Sequence, residues 1–319
     1  MALRPVARHP LYRQNPASVG LGALFVVVAA VQVWTRLVGL AFVAVEPALP
    51  AFAGSPIALG SVATYGLGMS LGALAYVRLR GIDLRVALPS REHLPTVAAT
   101  TLAPAGLVLG TAAVAAAVDT TYSAIAQRYI SPDAPTAFVL STLLVPALAG
   151  AVGHALLYHG VVQERVRALT DPEHAVGLTT VLVGVVVAVP LTSPNPLSLD
   201  PANLAIFGVT LLVTVAVGAS VGLLYRGTVR ESVDSVRDVR YLPVVAVGLF
   251  GLVAAALELA EFSTAAFDLL RLATVAVAAY GYERTRTLLA PTLAVAAFRV
   301  TSAFVPYAEA VFGLASSPV

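Results

Sequence analysis

Long apolar runs, rarely interrupted by charge, recur nine times along this chain, and they decide what it can fold into. A bilayer span takes about 20 mostly apolar residues. The qualifying stretches lie at roughly 17–45, 57–77, 97–118, 136–158, 176–189, 204–224, 242–257, 265–280 and 289–312. Backbone inside lipid must satisfy its own hydrogen bonds, which for runs of this length means helices. The expected fold class is therefore all-α, a polytopic transmembrane helical bundle of about eight or nine spans. Charged residues make up 11% of the chain and hydrophobic residues 58%. Soluble domains carry roughly 25% charged residues, so lipid is the solvent this surface suits.

The arginines give the runs a direction. With the N-terminus in the cytoplasm, Arg4, Arg8 and Arg13, then Arg78 to Arg91, Arg165 and Arg167, Arg226 to Arg240, and Arg284 and Arg286 all fall on the cytoplasmic side. Only Arg128 and Arg271 fall on the other side. That alternation is the positive-inside pattern, and it places the chain in the cell membrane as a multi-pass protein. Residues 1–16 read as a cytoplasmic arm without a cleavable signal. Residues 17–135 read as N-terminal spans with an amphipathic cytoplasmic link, in which IDLRVALPSREHL forms a short surface helix. Residues 136–319 read as the core. The slightly basic balance is no sign of nucleic acid, because the arginines flank spans. Lysine is absent, and Ala, Val and Arg abound, as in a GC-rich genome; a halophilic archaeon is the expected source, although the 17 acids against 19 arginines lack a salt-adapted excess of acid.

Cysteine is absent, which excludes disulfides, thiolate catalysis and Cys-based metal sites. Ionisable groups at membrane depth are costly and point to function by default. Here they are Arg36, His154, His159, Glu258, Glu261 and Arg299. His154 and His159 are five residues apart, about 140° on an α-helix, so they are not expected to converge on one ion. No HExxH motif occurs, and no metal or other cofactor is expected. The small-residue stretch Gly218 to Ser220 reads as helix packing.

LLYHGVVQERVRAL (Leu156 to Leu169) resembles the first motif of the CPBP family, the CAAX-protease and bacteriocin-processing membrane proteins, which reads E-E-x-x-x-R before a Gln- and Arg-rich helix end. YGYERTRTLLAPTLAVAAFRV (Tyr280 to Val300) resembles the segment that closes that family's core, and AYVRLRGIDLRVALPS resembles the link preceding it. The resemblance implies a CPBP-like core. A second register is also open, with GLLYRGTVRESV (Gly222 to Val233) and RYLPVVAVGLFG (Arg240 to Gly251) in the two roles.

In the first register the family's glutamate pair falls on His154 and Ala155, its arginine on His159, its last histidine on Val295 and its asparagine on Arg299. In the second the same positions are Val221 and Gly222, Arg226, Val247 and Gly251. A general base must be titratable and close to the proton it takes, and valine cannot serve. The resemblance thus implies the fold without the proteolysis, and a protein that binds a lipid, a prenylated peptide or a partner helix within the bilayer. An active metalloprotease with relocated residues would use His154, His159 and Glu164, with zinc implied in that case alone. A small transporter subunit would use Pro104 and Pro146 as helix breaks and Arg299 facing an anion. His154, His159, Val295 and Arg299 lining one polar chamber that faces the cytoplasm would mark the family register as right.

Overall fold

The computed structural model describes residues 16–48, 56–128, 130, 131, 133, 136–170, 172–188, 200–229 and 262–313. The expected span at 242–257, Glu258, Glu261, most of the N-terminal arm and the second-register closing helix lie outside the described residues. Every regular element among the described residues is helical.

Helix α1 is Pro16–Val45. Helix α2, Pro56–Arg80, contains a π-helical stretch, Val62–Ser70. Helix α3 is Leu94–Ala117, and α4 is the short Tyr122–Ala126. Helix α5 occupies 136–169 and holds two π-helical stretches, Leu140–Leu144 and Ala155–Gln163. Helices α6 and α7 are Pro172–Ala188 and Pro201–Val229. Helices α8 and α9 are Phe262–Thr285 and Leu289–Val311. Six of these (α1, α2, α3, α5, α8 and α9) are long and apolar enough to cross a membrane; α6 and α7 contain shorter apolar segments, His174–Gly184 and Leu211–Val221. This architecture is consistent with a multi-pass membrane protein. Its exterior is apolar: Leu102, Leu109, Leu212 and Leu269 point outward with more than half their surface exposed, as lipid-facing leucines do.

Helix α5 is the axis. Residues 157–163 are buried all round, because α2, α6, α8 and α9 all pack against it. Small residues make these approaches possible. A Cβ at Gly153 would lie 3.1 Å from the Tyr65 carbonyl oxygen, and one at Gly68 would lie 3.0 Å from the Cα of Thr35. Helix α1 packs on α2 and α7, and α9 packs on α3 and α8.

The link after α2 departs from expectation. Gly81 ends α2 in a left-handed conformation, its N–H turned back to the Val77 and Arg78 carbonyls, as a glycine C-cap does. The chain then runs without helix to Ser90, and only Arg91–His93 forms a 3-10 turn. The expected surface helix is replaced by an extended strap laid over the α8–α9 turn. Leu288 N–H donates to the Arg85 carbonyl at 3.0 Å, and the Thr287 hydroxyl donates to the Ala87 carbonyl at 2.5 Å. Those long-range partners satisfy backbone groups that a helix would have satisfied internally.

Candidate functional site

The two segments that resemble CPBP motifs meet in space. Gln163 Nε2 donates to the Ala279 carbonyl at 2.8 Å. Tyr282 donates its hydroxyl to Glu164 at 2.7 Å, and Arg286 pairs with the same carboxylate oxygen at 2.8 Å. Arg167 pairs with Glu283 at 3.0 Å. Residues more than 110 positions apart thus lock the ends of α5 and α8 together where the arginines gather. Glu164 is committed to this lock.

Above it lies a cavity of about 730 Å³, a size typical of ligand pockets. His154, His159, Val295 and Arg299 all line it. Glu164 does not, so the set His154, His159 and Glu164 is divided between the cavity and the lock. Every π-helical stretch contributes to the wall: Tyr65 from α2, Thr142 and Leu143 from the first stretch of α5, Tyr158 and His159 from the second. π-Helical turns often mark functional sites. They also explain why His154 and His159 share one cavity instead of diverging by about 140°: an i→i+5 closure brings residues five apart toward one face.

Each ionisable group here has a defined setting. His154 Nδ1–H donates to the Gly150 carbonyl at 2.7 Å, which leaves Nε2 as the acceptor facing Arg299 Nη2 at 3.2 Å. The Arg299 guanidinium also lies 5.2 Å from the centre of the Tyr65 ring, within cation–π range. His159 Nδ1–H donates to Gln163 Oε1 at 2.8 Å; Gln163 is oriented by its own bond to Ala279. Val295 offers the cavity no polar side-chain atom. Neither histidine is paired with a carboxylate, and a guanidinium beside His154 repels a cation. These residues do not fit a zinc ion, and among the described residues no three His, Asp or Glu side chains are grouped to hold a metal.

The mouth lies away from the arginine-rich end. The exposed residues of the lining are Gln127, Arg128 and Ser131, which follow α4, whereas His159 at the other end is only 2% exposed. The chamber expected to face the arginine-rich side therefore opens on the opposite one.

Sequence reasoning overlooked the carboxylate that builds this mouth. Glu309, in the last turns of α9, accepts hydrogen bonds from the backbone N–H of Tyr122 at 2.7 Å and of Ser123 at 2.8 Å, and from the Ser123 hydroxyl. Tyr122 donates its hydroxyl to Ser302 at 2.8 Å, and burial pushes that phenol above its ordinary range. Thr121 caps α4 through the Ala124 N–H. A glutamate near the end of the span that also carries Arg299 was the available signal. Asp268 was also overlooked; it is 4% exposed and pairs with Arg271 at 3.2 Å. Arg36 is buried on α1 and lies outside the cavity lining.

No family model, no curated protein and no solved structure matches the chain.

Proposed function

We propose that this chain is a multi-pass membrane protein of CPBP-like core, with eight or nine spans, that holds a lipid or the lipid-modified part of a peptide in its central cavity without cleaving it. The observation that carries the reading is the content of the four family-motif positions lining that cavity. An arginine–histidine pair, a histidine tied to a glutamine and a valine stand where a peptidase needs a base and carboxylates. The meeting of the two motif-like segments at Glu164, Tyr282 and Arg286 supports the first register. The arginine alternation supports a cytoplasmic N-terminus.

Transport of a small anion is the second reading. Arg299 favours it, since it faces a cavity and not a dry salt bridge. Native mass spectrometry of the detergent-purified full chain, combined with incubation with a prenylated peptide, tests the proposal. Retained lipid and an intact peptide are expected. Cleavage that disappears in His154→Ala would overturn it.

A further inference from the structure

The two arginines that break the positive-inside pattern are cavity residues. Topology alone gives no reason for a guanidinium at the arginine-poor ends of the spans, yet Arg128 and Arg271 both line the chamber, together with Arg299 deeper in. Among the described residues no aspartate or glutamate lines it. Asp268 and Glu309 stand outside the lining: Asp268 pairs with Arg271, and Glu309 binds the α4 amides. Arg299 is held by a neutral imidazole acceptor and a tyrosine ring, neither of which cancels its charge. Arg128 keeps solvent access at the mouth, yet partial burial and then the cations Arg271 and Arg299 lower its pKa. Three guanidinium groups around one chamber in an apolar bundle repel one another, and an anion among them removes that cost.

The geometry points to an anion site for a phosphate group, entering at Arg128 and passing Arg271 to reach Arg299. Guanidinium forks match phosphate oxygens. The apolar part of the lining, with Phe267, Val275, Phe298 and Ala303, gives room for what the phosphate carries. The phosphate can belong to a lipid headgroup or to a soluble ion or ester. This inference rests on the binding reading above and names the chemistry of its ligand.

The test uses the full chain in phosphatidylcholine nanodiscs with and without phosphatidylglycerol, and inorganic phosphate as a separate titrant. Native mass spectrometry reads retained lipid, and thermal melting reads the phosphate effect. Preferential retention of phosphatidylglycerol, weakened about tenfold per guanidinium lost in Arg271→Gln and Arg299→Gln, supports the site with a lipid source. A phosphate-dependent rise in melting temperature, lost in the same variants, supports it with a soluble source. Arg128→Gln, altered at the exposed mouth, keeps the test open if the deeper variants fail to fold. Retention of both lipids with no preference, unchanged in all three variants and with no phosphate effect, overturns the anion site and leaves the binding reading standing. Failure to retain any lipid, together with no phosphate effect, overturns both.

Discussion

The guanidinium of Arg299 rests directly on the backbone of Gly150: a Cβ built at Gly150 would lie 2.7 Å from Arg299 Cζ and closer still to Nη1. The absence of a side chain on α5 therefore sets where the deepest cation of the cavity stands. Gly150→Ala is expected to push the guanidinium off His154, at a cost of about 1–2 kcal/mol from overpacking. Because Arg299→Ala vacates the same space, the double variant should lose less than the sum of the two single losses, by about 1 kcal/mol. Thermal melting of the four proteins in one detergent checks this; strict additivity would refute the contact.

Glu164 accepts from both Tyr282 and Arg286, so removing it strands the Tyr282 hydroxyl and leaves Arg286 only its longer pair with Glu283 at 3.5 Å. Glu164→Ala is expected to cost about 2 kcal/mol, and Tyr282→Phe about 1 kcal/mol. Denaturation in mixed micelles measures both. A Glu164→Ala protein as stable as the parent would contradict the lock between the two motif-like segments.

The positions of the six long apolar helices were legible because apolar runs interrupted by arginine clusters have one economical solution in lipid. His154 and Arg299 were legible as candidates for the same reason, since each stands inside such a run. Their neighbours were not. Arg128 and Arg271 were read only as topology markers, because nothing local says that a residue just after α4 and one on α8, far apart in sequence, face one chamber. Glu309 escaped because its partners, the α4 amides, lie across the fold, and Asp268 because its pairing with Arg271 is a local i,i+3 contact on α8 whose burial the sequence does not show. The strap from Ile82 to Ser90 was misread because its pattern suits an interfacial helix, while the hydrogen bonds that extend it come from Thr287 and Leu288, some 200 residues away. The π-helical stretches leave no mark in composition, so the convergence of His154 and His159 could not be anticipated.

Glu309 holds α4 by accepting two backbone N–H groups, and through α4 it positions Arg128. Glu309→Gln should cost about 1–2 kcal/mol, the difference between charged and neutral acceptors. Amide exchange at Tyr122 and Ser123 should accelerate while exchange in α5 stays unchanged. Unaltered protection at both amides would show that the carboxylate is not what anchors the mouth.

Thr287 ties the strap to the α8–α9 turn through the Ala87 carbonyl. Thr287→Val keeps the shape and removes the donor, for a loss of about 1 kcal/mol. Limited proteolysis should then cut between Ile82 and Ser90 faster than in the parent. Equal cutting rates would mean the strap is held by other contacts.

The most direct test of a lipid-embedded bundle whose cavity opens away from its arginines is thiol accessibility, which the cysteine-free sequence allows without background. Single cysteines replace Ser131 at the mouth, Thr274 in the cavity wall and Arg165 at the arginine-rich end. In intact cells a small, membrane-impermeant reagent should label Ser131→Cys quickly and Thr274→Cys more slowly, and Arg165→Cys only after permeabilisation. Labelling of Arg165→Cys from outside, or a Thr274→Cys that no external reagent reaches while Ser131→Cys reacts, would contradict it.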